Sequence, residues 1–463
     1  MKPRQPSRIA ARKGAKSGPE RAGEDGWRSL RLLGTYIEER DRLSETATLG
    51  TSSTSTIAGL RCRECGHTYE VAAQHVCELC FGPLEVVYDL DRIARVCTRA
   101  SIEAGPRSMW RYADLLPVLD GQRVDLGAGL TRLRAAPRLA AELGLRKLWI
   151  KSDTSNPTHS FKDRVVSVAL SAARAFGYEV AACASTGNLA NAVAAHAASV
   201  GMRSVVFIPS DLEPAKIAAT SVYGGTVIGI DGSYDDVNRL CAELAQDRHW
   251  AFVNMNLRPF YAEGSKTLAF EIAEQLGWRR PDAVVVPVAS GSLLTKIAKG
   301  FRELDTVGLV PATDPVAIHG AQASGCAPVA AAFASGATEV VPVRPNTVAK
   351  SLAIGTPADG HYALTEARSS GGRIAAVEED RVAQGIRLLA RTEGLFTETA
   401  GGVTISALEE LVAQGAIAPD DETVVLITGE GLKTIDALGP VGPSATVSPS
   451  IQAVDRALEE VLS

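Results

Sequence analysis

Short apolar runs alternate with helical patterns along most of the chain. Val165, Val166, Val168, Ala169 and Leu170 give one such helical pattern, in which apolar residues recur on one face. The apolar runs have the length of strands and cover residues 148–150, 180–183, 204–208, 227–230, 283–288 and 424–427. Because strands that alternate with helices form parallel sheets covered on both faces, the pattern predicts an α/β fold from about residue 130 onward.

A lysine stands at the predicted start of a helix. Lys162 lies in the string Asn-Pro-Thr-His-Ser-Phe-Lys-Asp-Arg, residues 156–164, and the helix continues with the apolar stripe described above. The stripe must face a core, so Lys162 is tied to a buried or half-buried element. An amine held there can lose its proton readily and attack a carbonyl carbon. The alternative is a lysine at a helix start whose amine reaches solvent.

Two turns of small residues lie where a predicted strand passes into a helix. The turn Ser-Thr-Gly-Asn covers residues 185–188, and the turn Ser-Gly-Ser-Leu covers residues 290–293. Such turns direct backbone N–H groups and hydroxyls at one point, which suits a carboxylate at the first turn and a phosphate at the second. Thr428 ends the last predicted strand, at the edge where α/β sheets bind ligands. The two turns and the lysine together predict an anion-binding site.

These motifs resemble those of the fold-type-II family of pyridoxal-phosphate enzymes, and within it the threonine synthases. The resemblance covers residues 57–438 and rests on the strings at residues 156–164, 185–192, 262–267 and 392–402. It implies two three-layer parallel-sheet domains of the tryptophan synthase β-like architecture, with the cofactor in the cleft between them, in a homodimer. The smaller domain would span residues 166–277, between two parts of the larger one.

The resemblance also implies a contact for each motif. Lys162 would form the Schiff base with pyridoxal phosphate and then move protons as a free amine. Asn188 would hydrogen-bond the cofactor's 3′-oxygen, and Thr428 would contact its pyridine nitrogen. A hydroxyl at that nitrogen does not force its protonation, which favours elimination and replacement over transamination. Two anionic groups remain: the cofactor phosphate, at Ser290, Gly291, Ser292 and Leu293, and the substrate carboxylate, at Ser185 and Thr186.

The implied reaction is γ-elimination of phosphate from O-phospho-L-homoserine, followed by addition of water at Cβ to give L-threonine. It requires a second anion site, for the substrate phosphate. Arg258 can bind phosphate through two parallel hydrogen bonds; the alternative is a surface arginine in a loop. Lys266 is a candidate second cation, and Glu263 is predicted to cap the helix that contains it. The other candidates for the phosphate are Asn156, Thr158, Asn254 and Asn256.

Three positions depart from the family's pattern. The phosphate turn reads Ser-Gly-Ser-Leu-Leu at residues 290–294, with an apolar residue where a polar one is common. Thr356 stands where asparagine is expected, and Glu430 follows Thr428-Gly429 where a neutral or basic residue is usual. A carboxylate near the pyridine edge would raise the basicity of the ring nitrogen. These departures leave open a related enzyme that eliminates or replaces at Cβ, acting on phosphoserine (cysteate-synthase-like) or diaminopropionate.

Two further classes of protein are alternatives. One is a non-catalytic scaffold that uses a cysteine module and a basic tail for contacts. The other is a nucleotide-binding Rossmann enzyme, which is disfavoured because no Gly-x-Gly-x-x-Gly follows the first strand with an acidic residue at the proper distance.

The eight cysteines fall into two groups. Four of them form two Cys-x-x-Cys knuckles, which predict a structural four-sulfur zinc site in a zinc-ribbon-like module at residues 57–91. A metal-free hairpin or oxidised thiols are the alternatives. His67 and His75 are predicted bystanders, because four thiolates fill the shell. The predicted ligands are Cys62, Cys65, Cys77 and Cys80, whereas Cys97, Cys183, Cys241 and Cys326 are predicted to be buried packing thiols.

Composition bounds the compartment and the partners. The net charge of −5 carries no nucleic-acid signature. No apolar run reaches membrane-spanning length, and the start of the chain lacks an apolar signal segment. We therefore expect a cytoplasmic protein, with no nucleic acid or membrane partner, whose partner is a small amino-acid phosphate.

The ends of the chain fall outside the α/β pattern. Residues 1–56 form a basic, Ser/Thr-containing tail that is predicted to be disordered. A short helix at residues 27–42 and an organelle transit peptide are alternatives there. Residues 92–129 are predicted to be a linker with one helix, residues 130–440 the catalytic region, and residues 441–463 a C-terminal extension.

Overall fold

The computed structural model describes residues 56–119, 123–210, 214–232, 234–311, 315–440 and 442–462. The expectations for a disordered tail and a helix at residues 27–42 fall on residues outside these ranges. The strands are β1 (Ile57–Cys62), β2 (Thr68–Tyr69), β3 (Leu84–Tyr88), β4 (Leu133–Ala135), β5 (Leu148–Ser152), β6 (Val180–Ala184), β7 (Arg203–Pro209), β8 (Thr226–Ile230), β9 (Ala251–Phe252), β10 (Ala283–Pro287), β11 (Ala317–Ala323), β12 (Ile374–Val377) and β13 (Thr423–Ile427).

Helices separate most of these strands. The α-helices are α1 (Leu90–Val96), α2 (Arg99–Glu103), α3 (Pro137–Leu143), α4 (Lys162–Ala175), α5 (Asn188–Ser199), α6 (Pro214–Ser221), α7 (Tyr234–Asp247), α8 (Arg258–Glu263), α9 (Thr267–Gln275), α10 (Ser292–Thr306), α11 (Pro328–Ala334), α12 (Gly360–Ser369), α13 (Glu379–Glu393), α14 (Thr399–Ala413) and α15 (Ile451–Leu462). Short 3₁₀ helices lie at Met109–Leu115, Asp153–Ser155, Gly264–Lys266, Ser324–Cys326, Lys350–Leu352 and Gly431–Leu438.

The larger sheet has six strands in the order β12-β11-β10-β13-β5-β4. Its strands pair in parallel except for the edge strand β4, which is antiparallel to β5. Every residue of β10 and β13 is buried, as expected for central strands that are covered on both faces. This sheet is therefore the buried central layer of the larger parallel-sheet domain.

The smaller sheet has four parallel strands in the order β8-β7-β6-β9. It is built from residues 180–252, which lie between the strands of the larger sheet in the sequence. The two parallel sheets confirm the predicted α/β fold. The division at residues 166 and 277 stays a prediction.

A third, antiparallel sheet has the order β2-β1-β3 and carries the cysteine knuckles. The segment after it, predicted as a linker, packs against the catalytic region: Trp110 is buried, and its Nε1 donates a 3.0 Å hydrogen bond to Ser167 Oγ on α4. None of the helices in the described ranges is long and apolar enough to cross a membrane.

Candidate active site

Lys162 is the first residue of α4, as the sequence predicts. The chain just before it is hydrogen-bonded to the end of β13. The N–H of Phe161 donates to the carbonyl of Thr428 at 2.9 Å, and the N–H of Glu430 donates to the carbonyl of His159 at 3.1 Å. These hydrogen bonds bring Lys162 and Thr428, which are 266 positions apart in the sequence, to the same part of the structure.

The Lys162 amine is half-buried and faces an aromatic partner. Its Nζ donates to the hydroxyl of Tyr261 at 3.1 Å and lies 4.6 Å from the centroid of the Phe161 ring. Tyr261 is on α8, and sequence reasoning gave it no role. Helix α8 also carries Arg258, one turn earlier, so a candidate phosphate ligand and the contact of Lys162 belong to one short helix.

Asn188 lies between two charged groups that the sequence reasoning did not assign. Its Nδ2 donates to Glu398 Oε2 at 2.9 Å, and its Oδ1 accepts from Lys433 Nζ at 2.8 Å. The hydroxyl of Thr428 reaches the other oxygen of Glu398 at 3.5 Å. A side chain at Gly429 would put its Cβ 2.4 Å from the Glu398 carboxyl carbon and would displace this carboxyl group from its present position.

Burial sets the ionisation of this pair. It raises the pKa of Glu398, against the opposing hydrogen bond from Asn188 and the charges of Lys433 and Lys162. Burial likewise lowers the pKa of Lys433, against the opposing charge of Glu398. The carboxylate beside Thr428 is thus Glu398. Glu430 instead accepts a 2.9 Å hydrogen bond from the N–H of Leu432 and caps a 3₁₀ helix.

The predicted phosphate turn opens helix α10. Gly291 is its N-cap with φ 94°, in the left-handed region that favours glycine. A Cβ at Gly291 would also lie 2.5 Å from the carbonyl oxygen of Asp359. Ser290 and Ser292 are partly exposed at the turn, whereas Leu293 and Leu294 are buried. The side chain of Leu294 therefore packs in the core rather than at the turn.

The predicted carboxylate turn has the same construction. Ser185 follows β6, and its hydroxyl accepts a 3.3 Å hydrogen bond from the N–H of Gly187. Gly187 is the N-cap of α5, whose first residue is Asn188. Thr186 lies between them and is partly exposed. The first N–H groups of an α-helix have no partner within the helix, so the start of α5 at this turn suits an anion.

The candidates for the substrate phosphate separate into two groups. Asn156 and Thr158 are buried and occupied: the Asn156 amide bonds backbone groups of Gly129 and Ser160, and the Thr158 hydroxyl donates to Asp163 at 2.9 Å. These contacts favour a structural role for both.

Arg258, Asn254 and Asn256 remain candidates. Within the described ranges, the Oδ1 atoms of both asparagines are buried without a hydrogen-bond partner. Arg258 begins a helix rather than lying in the expected loop, and it pairs with Asp359 at 2.8 Å. Thr356 is exposed in the segment that leads to Asp359.

Glu263 and Lys266 lie elsewhere. Both are fully buried, and Lys266 Nζ is 2.7 Å from Glu263 and 2.8 Å from Glu303. Glu263 makes no capping hydrogen bond; it accepts one of 2.9 Å from the hydroxyl of Tyr88. The prediction of a helix cap is wrong, and the charge of Lys266 is neutralised inside a buried ionic cluster.

The four predicted sulfur ligands converge. Their Sγ atoms all lie within 4.8 Å of one another, with Cys62 and Cys80 3.4 Å apart and Cys65 and Cys77 3.6 Å apart. Backbone N–H groups of Glu64 and Leu79 point at Cys62 and Cys77, both at 3.4 Å. The set suits a tetrahedral thiolate metal site. His67 stands outside it, with its ring against Tyr69, and the other four cysteines are buried as predicted.

Comparison with known proteins identifies the family. A family model described as pyridoxal-phosphate dependent enzyme matches residues 124–429. The threonine synthase of Methanocaldococcus jannaschii is 37% identical over 381 residues, which cover 81% of this chain and 93% of that protein. The chain belongs to the threonine synthase family of pyridoxal-phosphate-dependent enzymes. A second member, from Methanosarcina acetivorans, is 36% identical over 405 residues, covering 86% of this chain and 98% of that protein.

A solved structure agrees with this family's fold. The processed form of threonine deaminase isoform 2 from Solanum lycopersicum superposes with a TM-score of 0.57 at 20% identity, over 77% of this chain and 95% of that one. The matches confirm the resemblance drawn from the sequence motifs, the fold type and pyridoxal phosphate as the cofactor of the family.

The residues present fit that cofactor. Lys162 offers an amine that donates to the phenol of Tyr261, and Asn188 and Thr428 both hydrogen-bond the carboxyl group of Glu398. Gly291 is the N-cap of the fifteen-residue helix α10, and the backbone N–H groups at the start of this helix suit a phosphate.

Proposed function

We propose that this protein is a threonine synthase, which converts O-phospho-L-homoserine and water to L-threonine and phosphate. The observation that carries the proposal is the half-buried Lys162 amine beside Tyr261, at the helix start that the sequence motif predicts. The two archaeal threonine synthases that are 37% and 36% identical over most of the chain support the same reaction.

Lys162 is the proposed acid–base group. When bound, pyridoxal phosphate draws electrons from the α-carbon of the substrate, which makes the protons at Cα and Cβ removable. The amine of Lys162 takes and returns these protons, because it is a basic nitrogen carried by the first residue of the packed helix α4. Tyr261 orients the amine through its hydroxyl.

The remaining residues bind and orient. Ser185 and Thr186 hold the substrate carboxylate, while Asn188 and Thr428 hold the polar edge of the cofactor ring. The cofactor phosphate lies at the turn of Ser290, Gly291, Ser292 and Leu293. Arg258, Asn254 and Asn256 take the substrate phosphate. Arg258 supplies a positive charge and a fork of donors, and the two asparagines supply amide N–H donors through Nδ2, which in Asn256 also donates to the Trp250 carbonyl at 2.9 Å.

The proposed function is tested by product analysis. Cofactor-loaded enzyme is incubated with O-phospho-L-homoserine and, separately, with O-phospho-L-serine, and both phosphate and amino-acid products are measured. Threonine from the first substrate supports the proposal. Phosphate release from phosphoserine alone would instead support the related β-elimination enzyme. Lys162→Ala is expected to lower kcat by at least about 10³-fold and to prevent borohydride labelling of this position, whereas the exposed Lys147→Ala serves as the matched control.

We further propose a structural zinc ion held by Cys62, Cys65, Cys77 and Cys80. Its chemistry is structural because four thiolates leave no open coordination position. The protein is proposed to act as a cytoplasmic homodimer, with a smaller domain at residues 166–277. Metal analysis of the purified protein and light scattering test the zinc and the dimer.

A further inference from the structure

The cysteine module contacts the catalytic region through two consecutive knuckle residues. Arg63, between the ligands Cys62 and Cys65, donates from Nη1 to Asp359 Oδ1 at 3.0 Å. Its guanidinium carbon also lies 3.5 Å from the centroid of the Tyr362 ring. The next residue, Glu64, accepts a hydrogen bond from the Tyr362 hydroxyl. The knuckle therefore holds the start of helix α12.

Asp359 in turn contacts both the proposed cofactor-phosphate turn and Arg258, the proposed ligand of the substrate phosphate. Its backbone N–H donates to the carbonyl of Ser290 at 2.8 Å, and its own carbonyl oxygen fills the space beside Gly291. Its second carboxylate oxygen lies 2.8 Å from Arg258. One aspartate thus connects the cofactor-phosphate turn, the candidate ligand of the substrate phosphate and the cysteine knuckle.

The side chains of Asp359, Arg63 and Arg258 differ in exposure, and this difference separates their proposed roles. The Asp359 side chain is 6% exposed, so its charge requires compensation. Arg63 is 15% exposed and is held between Asp359 and Tyr362, whereas Arg258 is 30% exposed and can reach an incoming anion. When Arg258 turns to a substrate phosphate, Arg63 still compensates Asp359. Without Arg63, Asp359 has Arg258 as its remaining cation and competes with the substrate for it.

We propose that Arg63 is a positioning residue for the phosphate turn and for Arg258, and that metal binding by the four cysteines fixes Arg63 in this place. Coordination of the metal by Cys62 and Cys65 would restrain the backbone between them, which carries Arg63. Metal occupancy is thereby coupled to the binding of two phosphates. The effect on the cofactor is independent of the substrate; the effect on the substrate phosphate rests on the proposed function.

The first test compares Arg63→Ala with Arg95→Ala, an exposed arginine on α1 that serves as the matched control. The dissociation constant of pyridoxal phosphate is measured by titrating the apoenzyme in the absence of substrate. We expect Arg63→Ala to weaken it about 3- to 30-fold, the range for residues that couple sites without touching the ligand. KM for phosphohomoserine rises by a similar factor, and kcat changes less. Arg63→Lys restores part of the loss, because it keeps the charge but loses the fork and the ring contact.

Arg63→Ala is expected to leave the module folded. Tyr88 of β3 keeps its hydrogen bond to the buried Glu263, and circular dichroism of the full-length variant checks this. A cofactor dissociation constant equal to that of Arg95→Ala overturns the role of Arg63. If phosphohomoserine releases no phosphate with the wild type, the proposed function fails, but the cofactor constants still decide the inference.

The second test addresses the metal. Zinc is removed from the full-length holoenzyme with a chelator and then restored, and the zinc content and the cofactor dissociation constant are measured at each stage. Removal is expected to weaken cofactor binding about as much as Arg63→Ala does, and to have little further effect in that variant, because both act through one contact. Zinc loss that leaves the cofactor constant of the wild type unchanged, or a purified protein that never binds zinc, overturns the coupling to the metal.

Discussion

Asn188 donates a 2.9 Å hydrogen bond to Glu398, across 210 positions of the sequence. This contact places a buried carboxyl group next to two residues that were proposed to hold the cofactor ring, Asn188 and Thr428. The carboxyl group belongs to the start of α14, and Lys433 lies on the other side of the Asn188 amide. The proposed ring site therefore contains an acid and an amine as well as the neutral side chains of Asn188 and Thr428.

The buried carboxyl group makes a prediction for the pH dependence of stability. Because burial raises the pKa of Glu398, the folded apoprotein keeps this proton at pH values where the unfolded chain has released it. The stability that the proton contributes is fully present below the unfolded pKa and is lost as the pH rises through the folded pKa. The free energy of unfolding of the wild type should therefore fall relative to that of Glu398→Gln as the pH rises.

Chemical denaturation of both apoproteins, at several pH values from about 5 to about 8, measures this difference. Glu70→Gln, at an exposed position, is the control. Parallel stability curves for wild type and Glu398→Gln would contradict the assignment.

Lys433 and Glu398 should be energetically coupled. At a pH above the folded pKa of Glu398, where its carboxylate is charged, removing either charge alone leaves the other buried beside Asn188 with less compensation. Removing both charges leaves a neutral pair. We expect the double variant Glu398→Gln/Lys433→Met to be more stable than the sum of the single effects by about 1–3 kcal/mol. Urea denaturation of the four proteins in a double-mutant cycle gives this value. An additive result would show that the two groups do not act as a pair.

Local sequence patterns predicted the parts of the site that local structure creates. Lys162 at a helix start and Gly291 at a helix N-cap are set by their own neighbours in the sequence. Glu398 lies inside a motif that supported the family resemblance, but its contact with Asn188 depends on packing between distant elements. The Arg63–Asp359 pair, 296 positions apart, has no local signal at all.

Strand β11 shows the same limit at the level of the fold. Its residues include His319, Gly320 and Gln322, which interrupt the apolar run that marks the other central strands. Gln322 is buried because its Oε1 accepts hydrogen bonds from the N–H groups of Val329 and Ala330, at the start of α11. Because Gln322 is polar and caps a neighbouring helix, the hydrophobicity pattern did not predict this strand.

Tyr261 should influence the proton chemistry of Lys162. Tyr261→Phe removes the hydroxyl that lies 3.1 Å from Nζ but keeps the ring. We expect kcat to fall by less than the roughly 10²- to 10⁴-fold that a group transferring the proton itself contributes, because Tyr261 only orients the amine. The pH profile of kcat should shift, while KM changes less. Steady-state kinetics across pH measure both effects. Tyr223→Phe, at an exposed tyrosine, is the control, and an unshifted profile in Tyr261→Phe would remove the role in orienting the amine.

Gly291 should not tolerate a side chain, both because its φ is positive and because the Asp359 carbonyl oxygen lies close to it. Gly336, which shares only the positive φ, separates the two effects. Both Gly291 and Gly336 have positive φ, 94° and 71°, but a Cβ meets the Asp359 carbonyl oxygen at 2.5 Å only in the first, and meets nothing within 4 Å in the second. Gly336→Ala should cost about 1–2 kcal/mol for the backbone conformation. Gly291→Ala should cost more and should also weaken cofactor binding. Thermal unfolding and cofactor titration measure the two effects, and equal losses in both variants would argue against a close approach at the phosphate turn.

Arg258 should act on substrate binding through its charge and its geometry. It starts α8, pairs with Asp359 and keeps enough exposure to meet an anion. Arg258→Ala should raise KM for phosphohomoserine about 10- to 100-fold, as expected for the loss of a charge-assisted hydrogen bond of roughly 1.5–3 kcal/mol. Arg258→Lys should recover only part of this, because an ammonium cannot bind phosphate through a fork.

Inhibition by inorganic phosphate offers an independent measurement of the same site. Because free phosphate would bind where the substrate phosphate binds, its inhibition constant should rise in parallel with KM in Arg258→Ala and stay unchanged in Arg248→Ala, an exposed arginine outside this helix. A KM that rises while the inhibition constant does not would assign Arg258 to holding Asp359, and would leave Asn254 and Asn256 as the proposed phosphate ligands.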